Sequence, residues 1–128
     1  MKMLAEDIKN GNFKTAYLFC GEEAYLRNQY KNRLAQALCD PSDTMNFSRF
    51  EGKNIIPAEV ISLADTLPFF AERRLILIED SGFFKNKCDE LADYLPKMPD
   101  TTCIIFVETE ADKRNRLYKA VQKQGRVI

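Results

Sequence analysis

The chain has 128 residues, of which 45% are hydrophobic and 30% charged, the balance expected of one globular domain with its own core rather than a disordered segment. Nineteen basic residues cancel nineteen acidic ones, so the domain as a whole is not expected to grip nucleic acid or a membrane by charge alone. Apolar runs such as Leu75–Ile78 and Cys103–Val107 fall far short of the roughly 20 residues that cross a bilayer, and Glu6 and Asp7 interrupt the start before an export signal could form, which predicts a soluble, cytoplasmic protein.

In chain order, Leu4 and Ile8 stand four apart in Met1–Lys9 and predict a short helix, ended by Asn10-Gly11. Thr15–Cys20 reads as an apolar strand. From Glu23 to Leu38, residues Leu26, Tyr30, Leu34 and Leu38 recur at helical spacing. Pro41-Ser42-Asp43 is a loop, and Asn46–Glu51 alternates as an edge strand would. Pro57 opens a helix through Val60, Ile61 and Ala64 towards Leu67. Arg74–Glu79 does not alternate, which predicts a strand covered on both faces. A helix over Lys87–Leu95, a second apolar strand over Thr102–Val107, a helix over Asp112–Gln124 ended by Gly125, and a strand starting at Arg126 complete the pattern.

Strands alternating with helices predict a three-layer α/β domain on a mostly parallel, five-stranded sheet. The last residues fall inside a strand, which suggests a longer protein.

Parallel sheets collect ligands at the carboxyl ends of their strands. After the first strand stands Gly21-Glu22-Glu23. A phosphate loop needs a glycine-rich turn, a lysine reaching the phosphates and a Ser or Thr on the metal. This turn has one glycine and no lysine before Lys31. Its two carboxylates either cap the following helix or simply take the positive end of its dipole, and in both cases they repel a polyphosphate. We therefore read Gly21, Glu22 and Glu23 as a degenerate phosphate loop.

The acidic pair Glu79-Asp80, after the third strand, resembles the pair that holds magnesium water in nucleotide hydrolases. Without phosphates to share the metal it is structural or vestigial. A receiver-like phosphoacceptor domain could fit Glu22, Glu23, Asp80 and Thr109 to its strand ends, although Gly21 displaces the first acidic pair.

The chain has no histidine, which removes the common nucleophile–base pairs, most zinc sites and the usual neutral-pH base. Cys20, Cys39, Cys88 and Cys103 form no metal or redox spacing and read as free thiols. No catalytic residue, metal or cofactor is expected. Leu67-Pro68-Phe69-Phe70-Ala71 is the strongest binding feature. Its rings either plug the helix–strand junction or, if exposed, anchor a partner. Lys113, Arg114, Arg116, Lys119, Lys123 and Arg126 make the last helix basic, either as a solvated face or as a contact for DNA phosphates or an acidic partner.

Tyr17–Glu23 through Leu26, the strand ending in Glu51-Gly52, Thr66–Leu75, and Asp112-Lys113-Arg114 with Leu117–Ala120 occur in order along nearly the whole chain. Together they resemble the N-terminal domain of the delta subunit of the bacterial DNA polymerase III clamp loader. The resemblance implies an AAA+-like domain over residues 1–128, followed in full-length members by a lid and a collar. It also implies a non-hydrolysing subunit whose partners are the sliding clamp (the beta subunit) and the other loader subunits, with DNA contact through the complex. Any nucleotidyltransferase activity would belong to that complex. The hydrophobic wedge by which this family enters a clamp pocket would correspond to Leu67, Phe69 and Phe70.

Overall fold

Alternate residues of each inner strand point to two different cores, and that alternation generates the layers. A computed structural model describes residues 2–21, 23–40 and 42–128. The strands are β1 (Ala16–Cys20), β2 (Phe47–Glu51), β3 (Arg74–Glu79), β4 (Thr102–Glu108) and β5 (Arg126–Val127). The helices are α1 (Lys2–Asn10), α2 (Ala24–Leu38), α3 (Pro57–Ala64), α4 (Asp89–Tyr94) and α5 (Arg116–Gln124), with a 3-10 turn at Leu95–Lys97. The sheet runs β2-β3-β4-β1-β5, and every pairing is parallel.

Tyr17, Phe19, Leu75, Leu77, Cys103 and Ile105 pack on one face against Leu4 of α1 and Leu34 and Leu38 of α2. Leu18, Ile76, Ile78, Ile104 and Phe106 pack on the other against Val60 of α3, Leu91 of α4 and Leu117 and Val121 of α5. Because β3 and β4 are buried at every position, they carry no polar alternation, as the sequence suggested. Edge strand β2 has no fully buried residue. Burial pushes the Cys103 thiol up to about 12, so it behaves as a small apolar side chain. All four cysteines are free.

The start of α5 and the end of α3 depart furthest from expectation. Helix α5 starts at Arg116 rather than Asp112. The side chain of Asn115 accepts from the N–H groups of Leu117 and Tyr118 at 2.8 and 3.1 Å, a true N-cap. Asp112 instead folds back on the Arg114 N–H at 2.9 Å. Helix α3 stops at Ala64, so Pro68 lies in the following loop and does not itself interrupt the helix. Gly125 does end α5, but with an extended φ of −155°. Its glycine is required by space, because a Cβ there would run into the Ala16 carbonyl.

Candidate functional site

The chain leaves β1 into α2 on one face of the sheet and leaves β4 towards α5 on the other. The crevice at the carboxyl end of β1, about 510 Å³, lies over β1, α2 and Ile128 with Gly21, Glu23 and Arg27 in its lining, at the strand end where such sheets usually take ligands. Here its backbone is already engaged by the chain itself. Gly21 adopts φ +143°, a region open essentially to glycine. Its N–H donates to the Glu108 carbonyl at 3.3 Å, and its own carbonyl accepts from Arg27 Nη1.

Glu22 lies outside the described residues. Glu23 occupies the N-cap position of α2, but its side chain makes no capping bond. The capping reading is therefore corrected for Glu23, whose carboxylate acts at the helix end only through its charge. Lys31 is held at 3.3 Å from Glu79 Oε2 and belongs to an ion pair.

The acidic pair after β3 does not act as a pair. Glu79 is buried and also accepts from Arg49 Nε at 2.7 Å. Asp80 is exposed, takes φ +54° and lines a separate cleft of about 170 Å³ with Lys53, Lys85 and Thr109. β3 ends at Glu79, and the left-handed backbone of Asp80 turns the chain there, so the two carboxylates do not continue one strand's alternation. Among the described residues no three acidic, cysteine or histidine side chains gather as metal ligands.

The receiver reading also meets a topological obstacle. Receivers use the order 2-1-3-4-5, whereas β4 here separates β1 from β3, so the fitted acidic positions lie on non-adjacent strands.

Glu108 follows the expected strand Thr102–Val107 and has no expected role from sequence. The structure buries it and makes its carboxylate accept from Ser81 N–H, Ser81 Oγ and Gly82 N–H at 3.0, 3.1 and 2.9 Å. Burial pushes this carboxyl above its ordinary range, against the pull of those donors. The donors lie 26 and 27 residues away, so no local pattern announces them.

The loop from α3 to β3 has the opposite character. Leu67 is 67% exposed, Phe69 53% and Phe70 94%. The alternative in which both rings plug the helix–strand junction is thereby overturned. The rings meet edge to face with centroids 4.5 Å apart, a favourable aromatic arrangement, and Phe70 holds φ +52°, rare for a residue with a side chain. The loop backbone is fixed from beneath by Asn46 and Arg74, both buried.

The basic helix is partly neutralised. Arg114 pairs with Asp112, Arg116 with Asp89 and Asp93, and Arg126 with Asp7. Among the described residues Lys113, Lys119 and Lys123 make no ion pair.

Comparison with known proteins returns one consistent result. The family model described as DNA polymerase III, delta subunit, matches residues 17–128. DNA polymerase III subunit delta of Bacillus subtilis (strain 168) is 28% identical over 132 residues, covering 94% of this chain and 38% of that protein. The solved Bacillus subtilis DNA clamp loader delta protein superposes with a TM-score of 0.86 at 23% identity, over 99% of this chain and 41% of its own. A Thermotoga maritima DNA polymerase III gamma subunit-related protein gives 0.71 at 12% identity, covering 98% and 44%. A Thermotoga maritima RuvB variant gives 0.57 at 15% identity, covering 98% and 40%. The fold is thus the AAA+-like one, and the chain spans about two fifths of the length of the delta relatives it matches.

Proposed function

The chain belongs to the DNA polymerase III delta-subunit family, and from that premise we propose that residues 1–128 form the AAA+-like, clamp-binding domain of a non-hydrolysing clamp-loader subunit. The observation that carries this reading is the loop before β3, where Leu67, Phe69 and Phe70 project from the surface. Large apolar side chains are normally buried. Three adjacent ones held outwards suit the mouth of a partner's apolar pocket, where aromatic anchors contribute most of the binding energy.

The partner is the ring-shaped sliding clamp, and inserting the loop helps to open it. The remaining loader subunits engage the lid and collar of the full-length protein, and any DNA contact arises within that cytoplasmic complex. Support for a non-catalytic role comes from the crevice. A triphosphate there would meet an engaged Gly21, the charge of Glu23 and a lysine already paired with Glu79.

The test is calorimetric titration of the sliding clamp with the wild-type domain and with Phe69→Ala/Phe70→Ala. The double variant should bind about 100-fold more weakly, as for central hot-spot residues, with an unchanged melting temperature. Equal affinity would remove the anchor assignment. A parallel titration with ATP and magnesium should be flat, and saturable binding would restore the nucleotide reading.

A further inference from the structure

We propose that Asn46 and Arg74 are positioning residues for the partner-binding loop, holding Leu67, Phe69 and Phe70 in their binding geometry before any partner arrives. The inference rests on the reading of that loop as the partner's anchor, and it adds how the anchor is kept ready.

Three exposed apolar side chains on an untethered loop would fold down onto the nearest apolar surface, because that removes them from water. Something must hold the backbone out. Asn46, 1% exposed, grips Phe69 at both ends of its peptide frame. Its Oδ1 accepts from the Phe69 N–H at 2.7 Å, and its Nδ2 donates to the Phe69 carbonyl at 2.8 Å. That doubly bonded residue immediately precedes Phe70, whose left-handed backbone is disfavoured unless its surroundings impose it.

Arg74, 5% exposed, supplies the second grip. Its Nε donates to the Thr66 carbonyl at 3.0 Å and its Nη2 to the Leu67 carbonyl at 3.2 Å. Its Nη1 donates to the Met45 carbonyl at 3.1 Å, tying the loop to the segment that carries Asn46. A planar guanidinium meets the three carbonyls from three separate nitrogens in a fixed fork, whereas an ammonium offers its three donors from a single rotating nitrogen.

Asn46 is itself set in place. Its Nδ2 also donates to Asp43 Oδ2 at 2.8 Å, and its carbonyl accepts from the Leu75 N–H at 2.8 Å. The loop thus hangs from the start of β2 and the start of β3, two neighbouring strands of the sheet. Ordering a loop on binding subtracts from affinity, and a loop ordered in advance avoids that loss.

The experiment pairs amide hydrogen exchange with stopped-flow binding to the sliding clamp, on Asn46→Ala, Arg74→Lys and Phe70→Ala. In Asn46→Ala the Phe69 amide should exchange at least about tenfold faster while amides of β1 and β4 keep their protection, since opening is local. Clamp affinity should fall about tenfold, mainly through slower association, because a smaller fraction of molecules is competent at encounter. Arg74→Lys should act in the same direction, and it decides the matter if Asn46→Ala does not fold. Phe70→Ala should instead leave Phe69 exchange unchanged and speed dissociation.

Unaltered Phe69 protection in the folded variants overturns the positioning role. So does lost protection at full affinity when Phe70→Ala weakens binding. If Phe70→Ala leaves affinity intact, the anchor reading fails, and Phe69 exchange still decides whether Asn46 and Arg74 hold the loop.

Discussion

The crevice at the carboxyl end of β1 and the loop before β3 both use an arginine to hold backbone carbonyls, yet they end in opposite states. Arg27 donates to the Gly21 carbonyl at the place where a related fold would receive a ligand. Arg74 donates to the Thr66 and Leu67 carbonyls beneath a surface that stays open. In the crevice the Gly21 N–H and carbonyl are both taken within the chain, while the buried Arg27 Nε is left without a partner. In the loop the Thr66, Leu67 and Phe69 carbonyls and the Phe69 N–H are bonded, and the apolar side chains are left outside. The proposed binding surface arises by fixing the backbone and leaving the apolar side chains without a partner.

This contrast predicts that substitutions in the crevice change stability and leave partner affinity alone, the reverse of substitutions at Phe69 and Phe70. The largest stability effect should come from Glu79→Ala. It leaves Lys31 without its carboxylate and Arg49 with Glu51 alone, at about 1–2 kcal/mol, below a fully buried pair because Arg49 is half exposed. Chemical denaturation measures this. Clamp affinity of the folded variant should match wild type, and a parallel loss of affinity would break the separation of the two regions.

A smaller effect should follow pH. Glu108 has a folded-state pKa raised by burial, so its contribution is present in full below the unfolded value of about 4.3 and is lost as pH rises through the folded value. Asp7 has a lowered one, chiefly through its Arg126 hydrogen bond. Its contribution is present above the unfolded value and is lost as pH falls through the folded value. The stability of wild type relative to Glu108→Gln should therefore fall with rising pH, and that relative to Asp7→Asn should rise. Denaturant titrations between pH 3 and 7 read both slopes, and slopes of the same sign would contradict the assignments. Residues 66–70 carry no ionisable side chain, so the loop itself should add no pH dependence to clamp affinity.

The smallest effect is expected at Glu23→Gln. This exposed side chain caps no N–H, so stability should move by less than about 0.5 kcal/mol. ATP binding should not appear, because Gly21 and Lys31 remain engaged. A nucleotide signal in this variant would show that Glu23 alone had closed the crevice.

Local composition accounts for much of the fold. The unbroken apolar runs of β3 and β4, the glycine after α1 and the proline opening α3 each carry a nearby physical cause, and the elements they predict are present. Errors gathered where two local signals competed, as when Asn115 rather than Asp112 capped α5. Gly125 ends α5 as expected, but its reason lies across the molecule, against the Ala16 carbonyl. Glu23 looked like a cap because its position is right, but the position does not place a carboxylate on an N–H.

The sequence by itself determined the alternation of helices and strands, a turn after β1 without the glycines and lysine of a phosphate loop, and the presence of Leu67, Phe69 and Phe70 as candidates. Those are properties of neighbouring residues, whose backbone preferences and chemistry act over a few positions. Only the tertiary structure decided that the rings stay exposed, that Asn46 reaches Phe69 from 23 residues away, and that Glu108 fills the Ser81–Gly82 turn. Such contacts depend on which strands become neighbours, and that order, β2-β3-β4-β1-β5, is set by packing both sheet faces at once rather than by any one stretch of chain.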